Sequence, residues 1–342
     1  MKKLYVDTFL KDQSPSQGQS RPLLVQASDG NQYFIKNNMV RINGTWVDEN
    51  AAFFNEVISH KIAKYLSVPT PEIAILEIES DIMSANSDLL FERRFKKGLY
   101  FGSRKIDQAE NNLLDNYANL LRLRKPYISR SWNNYFNNIS NPHDISLIIA
   151  MDLLLANFDR FDNTGNLLVG QKNNERTVFA LDHGHCFQGP LYDTNKEFFL
   201  RSNANLVDED KLNEYISNQI GLIIYYAQYQ GEDHVRPFNL AGAIFKAVEQ
   251  HVDVSDIHNH SFTHVVARIE QLTPESVLKF FADIPDEWIA GGQAQIKSYS
   301  EFIYRQGHIL RYIIQRMVTS GAFSNYRGGI LSWKQENLTG TR

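Results

Sequence analysis

A chain of 342 residues is long for one small core and fits two domains or a single two-lobed unit. Hydrophobic residues make up 43% and charged residues 22%, so a core can form and wholesale disorder is excluded. The net charge of −4 argues against a life on nucleic acid or anionic lipid, and the single cysteine, Cys186, excludes a disulfide framework or a cysteine zinc cluster.

The start, Met1-Lys2-Lys3-Leu4-Tyr5-Val6-Asp7, reaches a charge before any apolar run develops, so no signal peptide is expected. The longest apolar stretch, Ile145 to Phe158, carries Asp152 and is too short to span a bilayer. It reads as a buried core helix, and the expected setting is soluble and cytoplasmic. The first hundred residues have strand texture. Pro22–Ala27 and Gln32–Lys36 flank the turn Ser28-Asp29-Gly30-Asn31, a strand–turn–strand pattern. Phe54, Val57, Ile58, Ile62, Tyr65 and Leu66 recur at helical spacing and stop before Pro69 and Pro71. Glu72–Glu79 alternates like a strand, and Leu89–Phe95 is expected to be another.

From Asn111 the texture becomes helical. Helices are expected at Asn111–Arg124, Ile145–Phe158, Lys211–Tyr229, Leu240–His251, Pro274–Ala282 and Ser298–Thr319. A short β island, Asn166–Val169 and Thr177–Leu181, interrupts them around a turn at Gly170–Arg176. Lys11–Ser20 and the tail after Thr319 are expected to be mobile. The resulting fold class is α+β: a β-rich N-lobe, residues 1–95, followed by a mainly helical C-lobe, residues 96–342.

Two polar clusters carry the chemistry. Asn157-Phe158-Asp159-Arg160-Phe161-Asp162-Asn163-Thr164-Gly165-Asn166 follows the apolar helix, and Leu181-Asp182-His183-Gly184-His185-Cys186 closes the β island. Phosphoryl transfer needs one carboxylate to orient or deprotonate a hydroxyl. It also needs an amide oxygen and a second carboxylate to hold a hard cation against phosphates. Each cluster alone reads as a good turn; Asn166 and Asp182 at the two ends of one hairpin favour the site. Upstream, Lys36 ends a strand from which an ammonium could reach phosphates, and Glu56 in the next helix could hold it by an ion pair. His183, His185 and Cys186 lack a second ligand pair at zinc spacing and are read as loop and core residues. Cys186 lacks the context of a nucleophile. The basic-aromatic run from Arg122 to Trp132 is read as a solvated helix end.

The order of these elements resembles the HipA-like kinases, in particular the shorter group sharing the phosphatidylinositol 3-/4-kinase type of protein-kinase-like fold. Arg21-Pro22-Leu23-Leu24-Val25, Tyr33-Phe34-Ile35-Lys36, Asn55-Glu56-Val57-Ile58-Ser59-His60, Phe101-Gly102-Ser103-Arg104, Asp159-Arg160…Asn166-Leu167-Leu168, Leu181-Asp182-His183-Gly184-His185 and Ile284-Pro285-Asp286-Glu287-Trp288 carry the resemblance, over roughly residues 16 to 316. It implies a catalytic Asp159, a metal-binding Asp182 and a nucleotide lysine, Lys36, with Glu56 as its partner. Leu90-Phe91-Glu92-Arg93 resembles the hinge strand that meets adenine, so Phe91, Glu92 and Arg93 are nucleotide candidates and the hinge is expected near residues 90–104. The family places its metal-binding Asn five residues after the catalytic Asp, where Thr164 stands here. Asn166 fits best, in a loop two residues longer, and Asn163 is the alternative. Ser14, Ser16 and Ser20 occupy the place of the phosphate-covering loop and, by the resemblance, are autophosphorylation candidates.

The implied activity is ATP- and Mg²⁺-dependent transfer to a Ser/Thr hydroxyl of a protein, with a regulatory partner protein as a further expectation. An inositol-lipid or small-molecule kinase is one alternative. A pseudokinase, acting as a nucleotide-dependent interaction module, is the other.

Overall fold

The structure, a computed structural model, describes residues 1–11, 22–110, 133–160, 165–229 and 242–333. Its first part contains β1 (Lys2–Phe9), β2 (Leu23–Ala27), β3 (Gln32–Ile35), the hairpin β4 (Met39–Ile42) and β5 (Thr45–Asp48), α1 (Ala52–Leu66), β6 (Ile73–Ile78), α2 (Ser80–Ala85), α3 (Ser87–Glu92) and β7 (Gly98–Arg104). Five of the strands close a barrel in the order β1-β2-β3-β7-β6, shut by parallel pairing of β1 with β6 (Lys2 opposite Ala74). Closure removes the open edges that a small sheet would otherwise expose. Leu23, Val25, Ile35, Ala74 and Leu76 fill the interior. Gly102 is required where β7 crosses Leu76, because a Cβ there would lie 2.5 Å from Leu76 Cδ1.

α1 is buried on almost every side, as a helix sandwiched between two layers must be. Phe53 packs edge-on to Tyr100 of β7 and to Trp288, and Phe54 meets Phe281 and Tyr299. These rings dock the barrel on the helical part. Full burial of one such side chain is worth roughly 1.5–3 kcal/mol. That part contains α4 (Asp144–Leu154), the hairpin β8 (Leu167–Lys172) and β9 (Glu175–Ala180), α5 (Thr194–Arg201), α6 (Glu209–Tyr229), α7 (Gly242–Val248), α8 (Thr263–Glu270), α9 (Pro274–Leu278) and α10 (Gly292–Thr319). α10 is the scaffold, packing against α4, α5, α6, α8 and α9. Gly307 lets α8 approach it, with Ile269 Cγ2 3.1 Å from where a Cβ would stand.

Several expectations are corrected. Leu89–Phe95 is not a strand: α3 occupies Ser87–Glu92, with Asp88 in its first turn where the helix dipole favours an acid. Only Leu89 of that helix is buried, and Phe91 is 74% exposed. The fifth barrel strand is β7, so the barrel runs through Arg104, past the expected lobe boundary at residue 95. The chain leaves it through residues 105–110, where Lys105 N–H donates to Gln32 O (2.9 Å), Gln171 N–H to Asp107 O (2.9 Å) and Glu110 N–H to Val169 O (2.8 Å).

β1 and the β4–β5 hairpin are additions. Asn43-Gly44, both at positive φ, is the sequence signal for the hairpin turn. The β8–β9 hairpin is longer than expected and turns at Asn173-Asn174, both left-handed. Gly170 therefore lies inside β8, where a Cβ would collide with Ile106 Cγ2 at 2.5 Å. The apolar helix stops at Leu154, four residues early, and Ala156 then takes a positive φ. Part of the tail expected to be mobile is packed: Ala322, Phe323 and Leu331 are buried. The expected helix at Asn111–Arg124 and the basic run from Arg122 to Trp132 lie outside the described residues.

Candidate active site

β3 delivers Lys36, and α1 delivers Glu56 in its second turn. Lys36 Nζ lies 3.1 Å from Glu56 Oε1 and 2.6 Å from Asp182 Oδ1. The second Glu56 oxygen accepts the His183 N–H at 3.0 Å, so one buried carboxylate fixes both the lysine and the loop carrying Asp182. Asp182 takes the left-handed conformation, φ +53°, one of the few non-glycine residues to tolerate it. Burial opposes the Lys36 ammonium, but Asp182 and Glu56 overcome it and hold its pKa above the ordinary lysine value. Burial likewise pushes Asp182 up, and Lys36 and His185 outweigh it, bringing that carboxyl down to about 2. Glu56 is raised, chiefly by burial, with Lys36 pulling the other way.

The second half of the site hangs on Arg160, which is fully buried. Its Nε donates to Asp152 Oδ2 (2.6 Å), Nη1 to Asn166 O (2.5 Å) and Leu181 O (2.7 Å), and Nη2 meets His183 Nδ1 at 2.9 Å. One guanidinium thus ties α4 to both ends of the β8–β9 hairpin, where Asn166 and Asp182 sit. Asn157 Nδ2 donates to the other Asp152 oxygen at 3.0 Å. Burial raises the Asp152 carboxyl, and Arg160 offsets it. Asn166 Nδ2 donates to Asp159 Oδ2 at 2.9 Å, linking the candidate base to the hairpin.

A third anchor is Asn55. Its amide donates to Gly184 O (2.8 Å), Cys186 O (3.1 Å) and Gly189 O (3.1 Å), and its oxygen accepts from Tyr299 OH (3.1 Å). The segment after Asp182 is therefore clamped to α1 and α10. Lys196 adds to the clamp by donating to Gly189 O at 2.6 Å and to Phe187 O.

The structure therefore brings Lys36, Glu56 and Asp182 into one ion-pair cluster, and Asp159 and Asn166 into one hydrogen bond. It does not support the hinge reading of Phe91, Glu92 and Arg93. Their backbone belongs to α3 and its end rather than to a strand, and Arg93 O accepts from Asn37 Nδ2 at 2.7 Å. Ser14, Ser16, Ser20 and Asn163 lie outside the described residues. Cys186 is buried with its thiol pushed up by burial, which suits a core residue. Sequence reasoning missed Asp152, Arg160 and Asn55 as positioning residues. The available signals were an acid inside an apolar helix and an Asn directly before Glu56, since buried polar groups must be paired.

Metal capacity follows from donor type. Among the described residues, no three His, Cys, Asp or Glu side chains form a ready-made cage. Asp182 and Asn166 offer oxygen donors at the two ends of one hairpin, and the Asn166 amide oxygen accepts no hydrogen bond from the described residues. One or two protein oxygens completed by phosphate oxygens is the pattern Mg²⁺ prefers, so the residues fit such an ion.

A closed barrel with its lysine held by a helix glutamate is joined to a helical part carrying an Asp–Asn loop and a second aspartate. The family model for HipA-like kinases matches residues 12–219, more than half of the chain, and the chain belongs to that family. Among solved structures, the Helicobacter pylori proinflammatory kinase CtkA is similar at TM-score 0.52 and 12% identity, over 94% of this chain and 99% of that one. The Golgi casein kinase with Mn/ADP bound aligns at TM-score 0.35 and 13% identity, over 99% of this chain and 77% of that one. No curated protein sequence matches the chain.

Proposed function

We propose that this kinase transfers the γ-phosphoryl group of ATP, with Mg²⁺, to a Ser or Thr hydroxyl of a protein, in a cleft between two lobes. The observation that carries the reading is Lys36 held at 3.1 Å by Glu56 and at 2.6 Å by Asp182, together with the Asn166–Asp159 bond. Lys36 would bind α- and β-phosphate oxygens, with Glu56 keeping its ammonium in place. Asp182 and Asn166 would hold the cation, which when bound neutralises charge on the phosphates. Asp159 would accept the proton of the attacking hydroxyl, its carboxylate oriented by the Asn166 amide. Residues 105–110 take the place expected of residues 90–93 as the hinge, with adenine against their backbone. Ser14, Ser16 and Ser20, which fall in the sequence between β1 and β2, would be the autophosphorylation sites, each phosphate adding about −1.5 to −2 charges.

The test is incubation of the purified protein with Mg²⁺-ATP, alone and with cell lysate, followed by phosphosite mapping. Asp159→Asn should lower phosphorylation by about 10²–10⁴, the usual worth of a positioned base, while ATP binding stays within a few-fold. Near wild-type phosphorylation by Asp159→Asn would remove Asp159 from this role. Phosphate on inositol or another small acceptor, with none on protein, would move the acceptor class.

A further inference from the structure

The run Leu90-Phe91-Glu92-Arg93, expected from sequence to meet adenine, is left without a role once α3 takes its place. Folding uses the residues that flank it. Leu89 and Phe95 are buried, and the Phe95 ring packs 6.3 Å from Phe9 and 5.2 Å from Tyr100. The residues between and just beyond them face outward. Leu90 is 42% exposed and Phe91 74%, and Arg94, Lys96 and Lys97 are exposed beside them. A single exposed apolar side chain needs no explanation, but two adjoining ones ringed by cations mark a contact surface.

Leu90 to Lys97 carries four cations against one acid, Glu92, in a chain whose net charge is −4. The neighbouring acids are engaged: Asp88 takes Lys11 Nζ on both oxygens, at 2.8 and 2.7 Å, and Asp48 accepts from Asn38 Nδ2 at 2.7 Å. The cations are also held in place. The Arg94 guanidinium lies over the Trp46 ring of β5, 5.4 Å from its centroid. Arg41 stands directly opposite Trp46 in the β4–β5 register, so a fifth cation shares that face. Asn37 Nδ2 grips Arg93 O at 2.7 Å. Arg94 itself takes φ +58°, a left-handed conformation that arginine adopts where its surroundings dictate it.

We propose that this ledge is a docking surface for an acidic protein segment that carries an apolar side chain. The apolar side chain would cover Phe91 and Leu90, and its flanking carboxylates would meet Arg94, Lys96 and Lys97. Charge decides the occupant. A membrane or a nucleic acid is an extended polyanion and meets the field of the whole chain, which is negative. A short acidic segment meets only the local cations, because screening confines each interaction to about 10 Å. α3 has six residues, too few to lie along a lipid surface as an amphipathic helix. An exposed aromatic ring beside a guanidinium held in place is the composition of a protein-binding hot spot. The docking surface does not depend on the nucleotide reading given above.

The experiment is fluorescence anisotropy on the full-length protein with a labelled short peptide of Glu and Asp that contains one Phe and one Leu. The control peptide replaces each acid by its amide. Wild type, Phe91→Ser and Lys96→Glu/Lys97→Glu are compared, with circular dichroism and urea midpoints establishing that each is folded. The acidic peptide should bind wild type, more weakly as salt rises, and at least about tenfold tighter than its amide counterpart. Phe91→Ser and the double charge reversal should each weaken it about tenfold or more. An affinity equal for the acidic and amide peptides, or unmoved by both variants, overturns the proposal. So does tighter binding to phosphatidylserine vesicles or to a single-stranded oligonucleotide than to the acidic peptide. A wild-type dimer in light scattering that Phe91→Ser converts to monomer would assign the ledge to a second copy of the chain and overturn it as well.

Discussion

Replacing Arg160 by Met removes the cation that pairs with Asp152 among the described residues. Both side chains are fully buried, at 2.6 Å. Among the described residues the variant leaves the Asp152 carboxylate with the Asn157 amide alone, and it strips a donor from Leu181 O and from the His183 ring. Asn166 O keeps one partner, the Leu181 N–H at 3.0 Å. Breaking a buried pair from one side typically costs about 3–5 kcal/mol, because the remaining charge stays desolvated. Against a total stability of about 5–15 kcal/mol, that is a large share. Urea unfolding followed by tryptophan fluorescence reads the loss directly. The double variant Arg160→Met/Asp152→Leu should recover part of it, with a coupling energy above roughly 1 kcal/mol, since neither charge is then left alone. Arg160→Lys should keep more stability than Arg160→Met while still lowering phosphoryl transfer, because an ammonium cannot span all four acceptors. A loss below about 1 kcal/mol in Arg160→Met, at unchanged m-value, would refute the assignment of Arg160 as the hub of the site.

Asn166→Ala should lower Mg²⁺-dependent phosphorylation far more than Asn163→Ala, and weaken Mn²⁺-ADP binding in parallel; equal tolerance of both would support a pseudokinase. His60 gives the pH prediction: burial, with Lys64 adding to it, brings its pKa down to about 4 from the usual 6.5. The folded protein then holds His60 neutral between about pH 4 and 6.5 while the unfolded chain binds a proton. Its contribution is complete above 6.5 and is lost as the pH falls toward 4, at about 1.4 kcal/mol per pH unit. Urea midpoints across that range should therefore fall less steeply in His60→Gln than in wild type, and identical slopes would remove His60 from the account.

Much of the chain was legible before any coordinates. The spacing of Phe54, Val57, Ile58, Ile62 and Leu66 dictated α1, and the order of polar clusters put Asp159, Asn166 and Asp182 around one hairpin. Local pattern settles such features because a helix or a turn is decided by neighbours within a few residues. The parts that were misread depend on distant partners. Leu89–Phe95 has strand-like composition, yet α3 forms there because β7 takes the fifth place in the barrel beside β3 and β6. β1 becomes a barrel strand through its parallel partner β6, some seventy residues away, which no local periodicity encodes. Arg160 and Asn55 look like ordinary loop and helix residues in the sequence. Folding buries them with carbonyls and carboxylates from α4, the hairpin and the segment after Asp182. The sequence by itself supplied the candidate side chains for phosphoryl transfer, because their carboxylate, amide and ammonium groups are fixed by residue type. Only the tertiary structure decided which of them meet, because burial and long-range pairing turn separate polar residues into one charged site.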